Sequence, residues 1–361
     1  PVAQIWEQVI ADFTAATALP KRSEYSEEDT GRVTSGAAYA MLGRTYWYNR
    51  DFENAYKMLY VLVEGEQKGE YELDPDFATQ WLNPNSNLRE SIFEIQYVTN
   101  GKNWDASTGW NGVWFIPSSD GGYGFHLPTQ HLLDAFDPED PRITWTFVRQ
   151  GDQFVGNDFV TGDANYPSRF FDRKHFVPMS ETLNAASPVY PQDVEMTVYV
   201  IRYADVLLMY AEACLEKGDI VGARKYLNQV RKRARESSPL DAKRVIQKYV
   251  PDTKPTSLPD ITSDNEAEVR LAIWNERRFE FACEGIRRMD LMQQERYGEI
   301  MTAVYSNGYA TEDVDKGRYY TKERELFPIP QNDIDLSRGA LVQNPGSVSY
   351  THLTLPTNSR V

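Results

Sequence analysis

The 361 residues carry 53 Asp and Glu against 38 Lys and Arg, a net charge of −15, with 41% apolar and 25% charged side chains. A chain of this length and composition folds around a real core rather than staying disordered. Its acidity excludes a nucleic-acid binder, which needs a basic footprint to displace counterions from phosphates. No apolar run reaches the roughly 18 residues of a membrane span. The most apolar stretch, residues 199–215, is interrupted by Arg202, Asp205 and Glu212.

The first element is a helix around residues 5–13, followed by a helical hairpin over 31–63. Gly31-Arg32-Val33-Thr34-Ser35-Gly36 leads into a helix of small and apolar residues, Asn49-Arg50-Asp51 forms the turn, and Phe52 opens the return helix. Gly43 and Ala55 let the two helices approach closely. The same grammar returns over 201–235, with Gly218-Asp219 as the turn. Aligning Asp51 on Asp219 places Gly43 on Ala211, Ala55 on Ala223 and Leu59 on Leu227. This is the small-residue pattern of tetratricopeptide-type hairpins, which bury their faces only by stacking on one another.

Between the hairpins the pattern changes. Residues 71–73 and 91–97 alternate like short strands. Residues 99–124 are rich in Gly, Asn and Ser and hold Trp104, Trp110, Trp114, Phe115 and Tyr123, with Phe125 just beyond. A further irregular stretch carries Trp145, Tyr166, Phe170 and Phe171. Residues 237–265, with Pro239, Pro251, Pro255 and Pro259, read as a surface excursion. A third long helix is predicted over 266–294. The fold class is therefore mostly α: tetratricopeptide-like hairpins forming a scaffold, with long irregular loops and a few short strands.

Enzyme motifs fail in turn. Gly31 and Gly36 have phosphate-loop spacing, but Ala37 stands where the lysine must be. Leu127 occupies the third glycine position of a dinucleotide-type pattern begun by Gly122 and Gly124, and there is no GxSxG elbow. A catalytic carboxylate pair in the irregular middle is a third-ranked alternative that abundance alone does not support. The 137–142 turn lacks the ligand spacing of a calcium loop. Cys214 and Cys283 read as buried small side chains, and His126, His131 and His175, separated by loop sequence, as surface or packing residues. No metal and no cofactor is assigned. Along 276–290, Arg277 with Glu280, and Glu284 with Arg287 and Arg288, are spaced to pair on one helix and fix it against its neighbours.

The aromatic loops remain as the site signal, with loop tryptophans that pin a long loop to the body as the alternative reading. Glycine and asparagine let a loop present flat aromatic faces, which stack on the C–H faces of sugar rings while nearby amides and carboxylates meet the hydroxyls. The expected stacking residues are Trp104, Trp110, Trp114 and Tyr123, with Asn103, Asp105 and Asn111 as hydrogen-bonding partners.

Several ordered blocks carry a family resemblance. Residues 31–38 (GRVTSGAA), 90–97 (ESIFEIQY), 202–213 (RYADVLLMYAEA) and 276–285 (ERRFEFACEG) occur in one chain. They are followed by Leu326-Phe327-Pro328-Ile329-Pro330 and Gln343-Asn344-Pro345-Gly346. In this order they resemble the SusD/RagB-like outer-membrane nutrient-binding lipoproteins of Bacteroidota. The resemblance covers nearly all of residues 1–346, as one domain in which 99–196 form a ligand-binding insertion. It implies a non-catalytic, surface-exposed outer-membrane protein that captures a glycan and delivers it to a SusC-like TonB-dependent transporter, docked through the helical hairpins. A peptide-binding variant of the same scaffold is the alternative. It also implies a lipidated cysteine and further repeats before Pro1, so that the chain is expected to be N-terminally truncated, with membrane attachment only through that absent anchor. Residues 347–361 lie past the family's usual end and resemble a translated sequencing-adapter scar, a non-native tail.

Overall fold

The computed structural model describes residues 2–82, 85–98, 114–115, 123–149, 170–175, 195–238, 257–306 and 320–346. The chain divides into two compact units, residues 1–293 and 294–361.

In the first unit, α1 (Val2–Ala16) packs on α2 (Ser35–Tyr48), which turns back into α3 (Phe52–Val63). Thr34 caps α2, its hydroxyl accepting from Ala37 N–H at 3.0 Å, and Asp51 caps α3, accepting from Asn54 N–H. Arg50 takes the left-handed conformation (φ 59°) that closes the tight turn between them. The close approach predicted at Gly43 is real: a Cβ there would lie 2.5 Å from Leu59 Cδ2.

Strand β1 (Ser91–Ile95) follows, then the short elements α4 (Gln130–Leu133), α5 (Ile143–Thr146), β2 (Phe147–Arg149) and β3 (Phe170–Asp172). Strand β4 (Val198–Arg202) leads into the second hairpin, α6 (Tyr203–Glu216) and α7 (Ile220–Glu236). Gly218 supplies the left-handed turn and Asp219 caps α7 as Asp51 caps α3, so the sequence alignment of the hairpins holds in space. Ala55, Leu59, Ala211, Ala223 and Leu227 are all completely buried. The hairpins stack through α3 on α6, where the Tyr56 and Tyr210 rings lie 5.0 Å apart.

β1 pairs antiparallel with β4, Phe93 opposite Ile201, and β2 with β3, Phe147 opposite Asp172. The strand expected at 91–97 thus forms over Ser91–Ile95 and stops short of Gln96 and Tyr97. The one expected at 71–73 does not form: Tyr71 is buried and bonded to the Thr34 hydroxyl, and only Glu72 reaches a neighbouring backbone, at Arg89. The excursion at 237–265 is described only at its ends, where Ser237, Ser238, Ser257 and Leu258 are buried.

The third long helix is broken into α8 (Glu266–Glu280) and α9 (Arg287–Gln293). Cys283 (φ 65°) and Gly285 (φ 79°) turn the chain between them. The break has a reason in charge pairing. Glu280, fully buried, accepts from Arg142 at 2.9 Å, from Arg202 at 2.6 Å and from Arg233. Glu284, released from the helix, reaches Arg202 at 2.8 Å and Lys174 at 2.7 Å. Arg277 bonds Asp205 at 2.6 Å and Asp290 at 2.9 Å. Of the residues expected to pair along one helix, Arg277, Glu280 and Glu284 do fix it against its neighbours, but through partners distant in sequence. Cys214 and Cys283 are free thiols; Cys214 is buried, as read, and Cys283 only partly so.

In the second unit, α10 (Tyr297–Ser306) and α11 (Gln331–Leu336) accompany the C-terminal signature. The Gln343 amide accepts from Ile329 N–H and donates to Ile329 C=O, both at 2.8 Å, and the Asn344 amide donates to Phe327 C=O at 2.7 Å. The two signature blocks are therefore one hydrogen-bonded clasp.

Candidate functional site

Of the seven predicted site residues, Trp114 and Tyr123 fall within the described structure; Trp104, Trp110, Asn103, Asp105 and Asn111 lie outside the described residues. Phe125 N–H donates to Trp114 C=O at 2.8 Å, binding the two chain segments side by side. The three rings of Trp114, Tyr123 and Phe125 consequently gather on one surface, 40%, 48% and 53% exposed. Their centroids are 5.2, 5.6 and 6.0 Å apart, and Phe125 is inclined by only 19° to each of the other two rings. Three large rings that cluster without being buried form an apolar surface open to a ligand. Phe125 is the member that sequence reading left out of the site. Its signal was the spacing to Tyr123: residues two apart across one glycine.

The neighbouring residues turn the other way. Phe115 sits 4.9 Å from the His175 ring and 5.5 Å from that of His126. Both histidines meet Asp172, whose Oδ2 lies 3.0 Å from His126 Nδ1 and 2.7 Å from His175 Nδ1. Asp172 ends β3 and is fully buried; its other oxygen accepts from Lys174 N–H at 2.9 Å, a local turn that swings His175 back beside it. Burial alone would raise the Asp172 pKa, but the two imidazoles outweigh it and hold the carboxyl well below the usual range. Burial likewise works against a charged His175, and Asp172 reverses that, raising the imidazole above its ordinary value. Chain order did not show that two of these histidines share one carboxylate: tertiary pairing joins His126 to Asp172, 46 residues away, and His175 to the same oxygen.

Behind the histidines, Lys174 is buried, its ammonium bonded to Glu284 and to Glu280 C=O and lying 4.6 Å over the Trp81 ring. Burial lowers its pKa. Two concavities of the first unit lie elsewhere. One, about 260 Å³, includes Arg22, Tyr71 and Asn87; the other, about 600 Å³, includes Glu64, Tyr203 and Lys225. Much of their polar lining is engaged within the protein: Arg22 donates to the carbonyls of Asn87 and Leu88, and Glu64 is held by Lys225, Lys68 and Tyr226. The rings of Trp114, Tyr123 and Phe125, by contrast, are partly exposed.

Residues 89–346 match the SusD family. SusD-like protein P2 of Formosa agariphila is 24% identical over 358 residues, covering 96% of this chain and 65% of its own length. A SusD-like protein of Bacteroides ovatus is 26% identical over 249 residues, 64% of this chain and 44% of that protein. The chain thus spans less than two thirds of either relative. Among solved structures, a SusD homologue from Bacteroides thetaiotaomicron superposes with a TM-score of 0.74 at 22% identity, over 96% of this chain and 70% of that one. Surface glycan-binding protein A from the same organism, solved with laminarihexaose, gives 0.69 at 22% identity, covering 95% and 70%. With the family match covering well over half of its residues, the chain belongs to the SusD family.

Proposed function

We propose that the protein is a non-catalytic surface glycan-binding protein that captures an oligosaccharide on the Trp114, Tyr123 and Phe125 surface and hands it to a TonB-dependent outer-membrane transporter. The observation that carries this reading is the exposure of three clustered rings, two of which nearly parallel the third. Such a surface stacks on the C–H face of a sugar, and Trp104, Trp110, Asn103, Asp105 and Asn111 extend the same stretch of sequence. One structural neighbour carries laminarihexaose and another is described as a laminarin-binding SusD-like protein, which makes a β-glucan the first ligand to try. The non-catalytic reading is supported by charge pairing: the buried carboxylates of Glu280, Glu276, Asp140 and Asp205 are committed to arginines. A carboxylate so held is a poor general acid.

The test is calorimetric titration with laminarihexaose beside an assay for new reducing ends. By analogy with aromatic stacking on flat ligands, each ring contributes on the order of 1–3 kcal/mol. Trp114→Ala or Phe125→Ala is expected to weaken binding about fivefold to a hundredfold, with little change in melting temperature because neither ring belongs to the buried core. Binding unchanged in both variants overturns the site, release of reducing ends favours the hydrolase, and capture of peptides instead favours the peptide-binding alternative. For the transporter, the expected result is co-purification with a TonB-dependent barrel from native outer membranes, and isolation without one counts against delivery.

A further inference from the structure

A ring nitrogen of His126, one of His175 and a carboxylate oxygen of Asp172 all lie within 4.8 Å of one another. We propose that these three side chains bind one divalent transition-metal ion of the zinc type. The donor chemistry fits: imidazole with carboxylate suits zinc and its neighbours, whereas calcium and magnesium require oxygen ligands. The spacing fits as well. Zinc held about 2.0–2.1 Å from each of four tetrahedral donors keeps those donors roughly 3.3 Å apart. The Nδ1 to Oδ2 separations are 3.0 and 2.7 Å, so a small outward movement of the rings admits an ion.

Three further features resemble a built site. The second oxygen of Asp172 is fixed by backbone N–H groups of Lys174 and His175, the kind of outer contact that orients a metal ligand. His126 holds a left-handed backbone (φ 60°), a conformation that costs free energy in a non-glycine residue and here carries the ring onto Asp172. Its side chain is 39% exposed while Asp172 is fully buried, leaving an approach from solvent and room for a water ligand. The ammonium of Lys174 does not oppose a cation there, because it is paired with Glu284.

The ion would fasten the 123–126 segment to the turn after β3, beside Phe115, the residue that follows Trp114. Its effect on ligand affinity rests on the reading of the aromatic surface given above; the ion site itself does not. The experiment uses tag-free protein stripped with a chelator and titrated with zinc, followed by metal analysis after dialysis and by melting temperature. One zinc per chain is expected, with a higher melting temperature. His126→Ala, a partly exposed position, is expected to bind zinc at least tenfold more weakly and to lose the thermal increase, while His131→Ala keeps both. No retained zinc in the wild type, or equal affinity in His126→Ala, overturns the proposal. Laminarihexaose titration with and without zinc separates the two readings: zinc binding without any glycan binding sinks the aromatic platform and leaves the ion site standing.

Discussion

Glu280→Gln is expected to destabilise the first unit by about 3–5 kcal/mol, the cost of leaving buried charge uncompensated. Its carboxylate accepts from Arg142, Arg202 and Arg233, whose side chains are themselves almost wholly buried. Glutamine keeps the volume but removes the charge, so three guanidinium groups share fewer carboxylates in a site that water does not reach. For a unit of this size the melting temperature should fall on the order of 10 °C. A shift corresponding to less than about 1 kcal/mol would show that the arginines find other partners. The same network sets the acid limit. Burial would raise the Asp205 carboxyl, but Arg44 and Arg277 outweigh it and hold it at about 2, and Glu280 is likewise held below its ordinary value. A group depressed on folding stabilises fully above its unfolded pKa, about 4 for a carboxylate, and loses that contribution as pH falls through the folded value. Stability should therefore drop steeply between about pH 4 and 2. Glu280→Gln should flatten that drop, and an unaltered slope by chemical denaturation across this range would refute the assignment.

Trp47→Ala should cost a similar 3–5 kcal/mol for a different reason, the emptied volume of a large buried ring. Trp47 is completely buried in α2, with the Arg277 guanidinium 4.5 Å over its ring. Its indole N–H donates to Glu212 at 2.9 Å, and the Trp274 indole donates to the other oxygen of the same carboxylate, also at 2.9 Å. Burial raises the Glu212 pKa, and these two donors work against that rise. Alanine both opens a cavity and strips Glu212 of one donor. Trp47→Phe keeps much of the packing and loses only the N–H, so it should cost about 1–3 kcal/mol. Equal losses in the two variants would place the whole effect in the hydrogen bond. Glycan affinity should survive in whatever fraction remains folded, which separates this tryptophan from those of the loops.

The helical hairpins were legible in the sequence because their determinants are local. Caps at Asp51 and Asp219 and a glycine turn at Gly218 act within a few residues of where they stand, and the small residues Gly43, Ala55, Ala211 and Ala223 act within a single hairpin. Residues 91–95 were readable as a strand for the same reason. The clustering of aromatic side chains in a glycine-rich stretch pointed to Trp114 and Tyr123, two of the three rings that share the surface. What the chain order could not contain was pairing between distant segments. Residues 71–73 alternate like a strand, yet a backbone ladder needs a partner, and Tyr71 is instead held by Thr34. The helix over 266–294 has unbroken periodicity, but buried arginines from β4 and the 140–142 turn draw Glu280 and Glu284 in directions one helix cannot supply. Phe125 joins the aromatic surface through a backbone hydrogen bond to Trp114, and His126 meets His175 only because β3 delivers Asp172 between them. Periodicity and capping are written in consecutive residues, whereas a shared carboxylate is decided by the strand pairing that brings its ligands together.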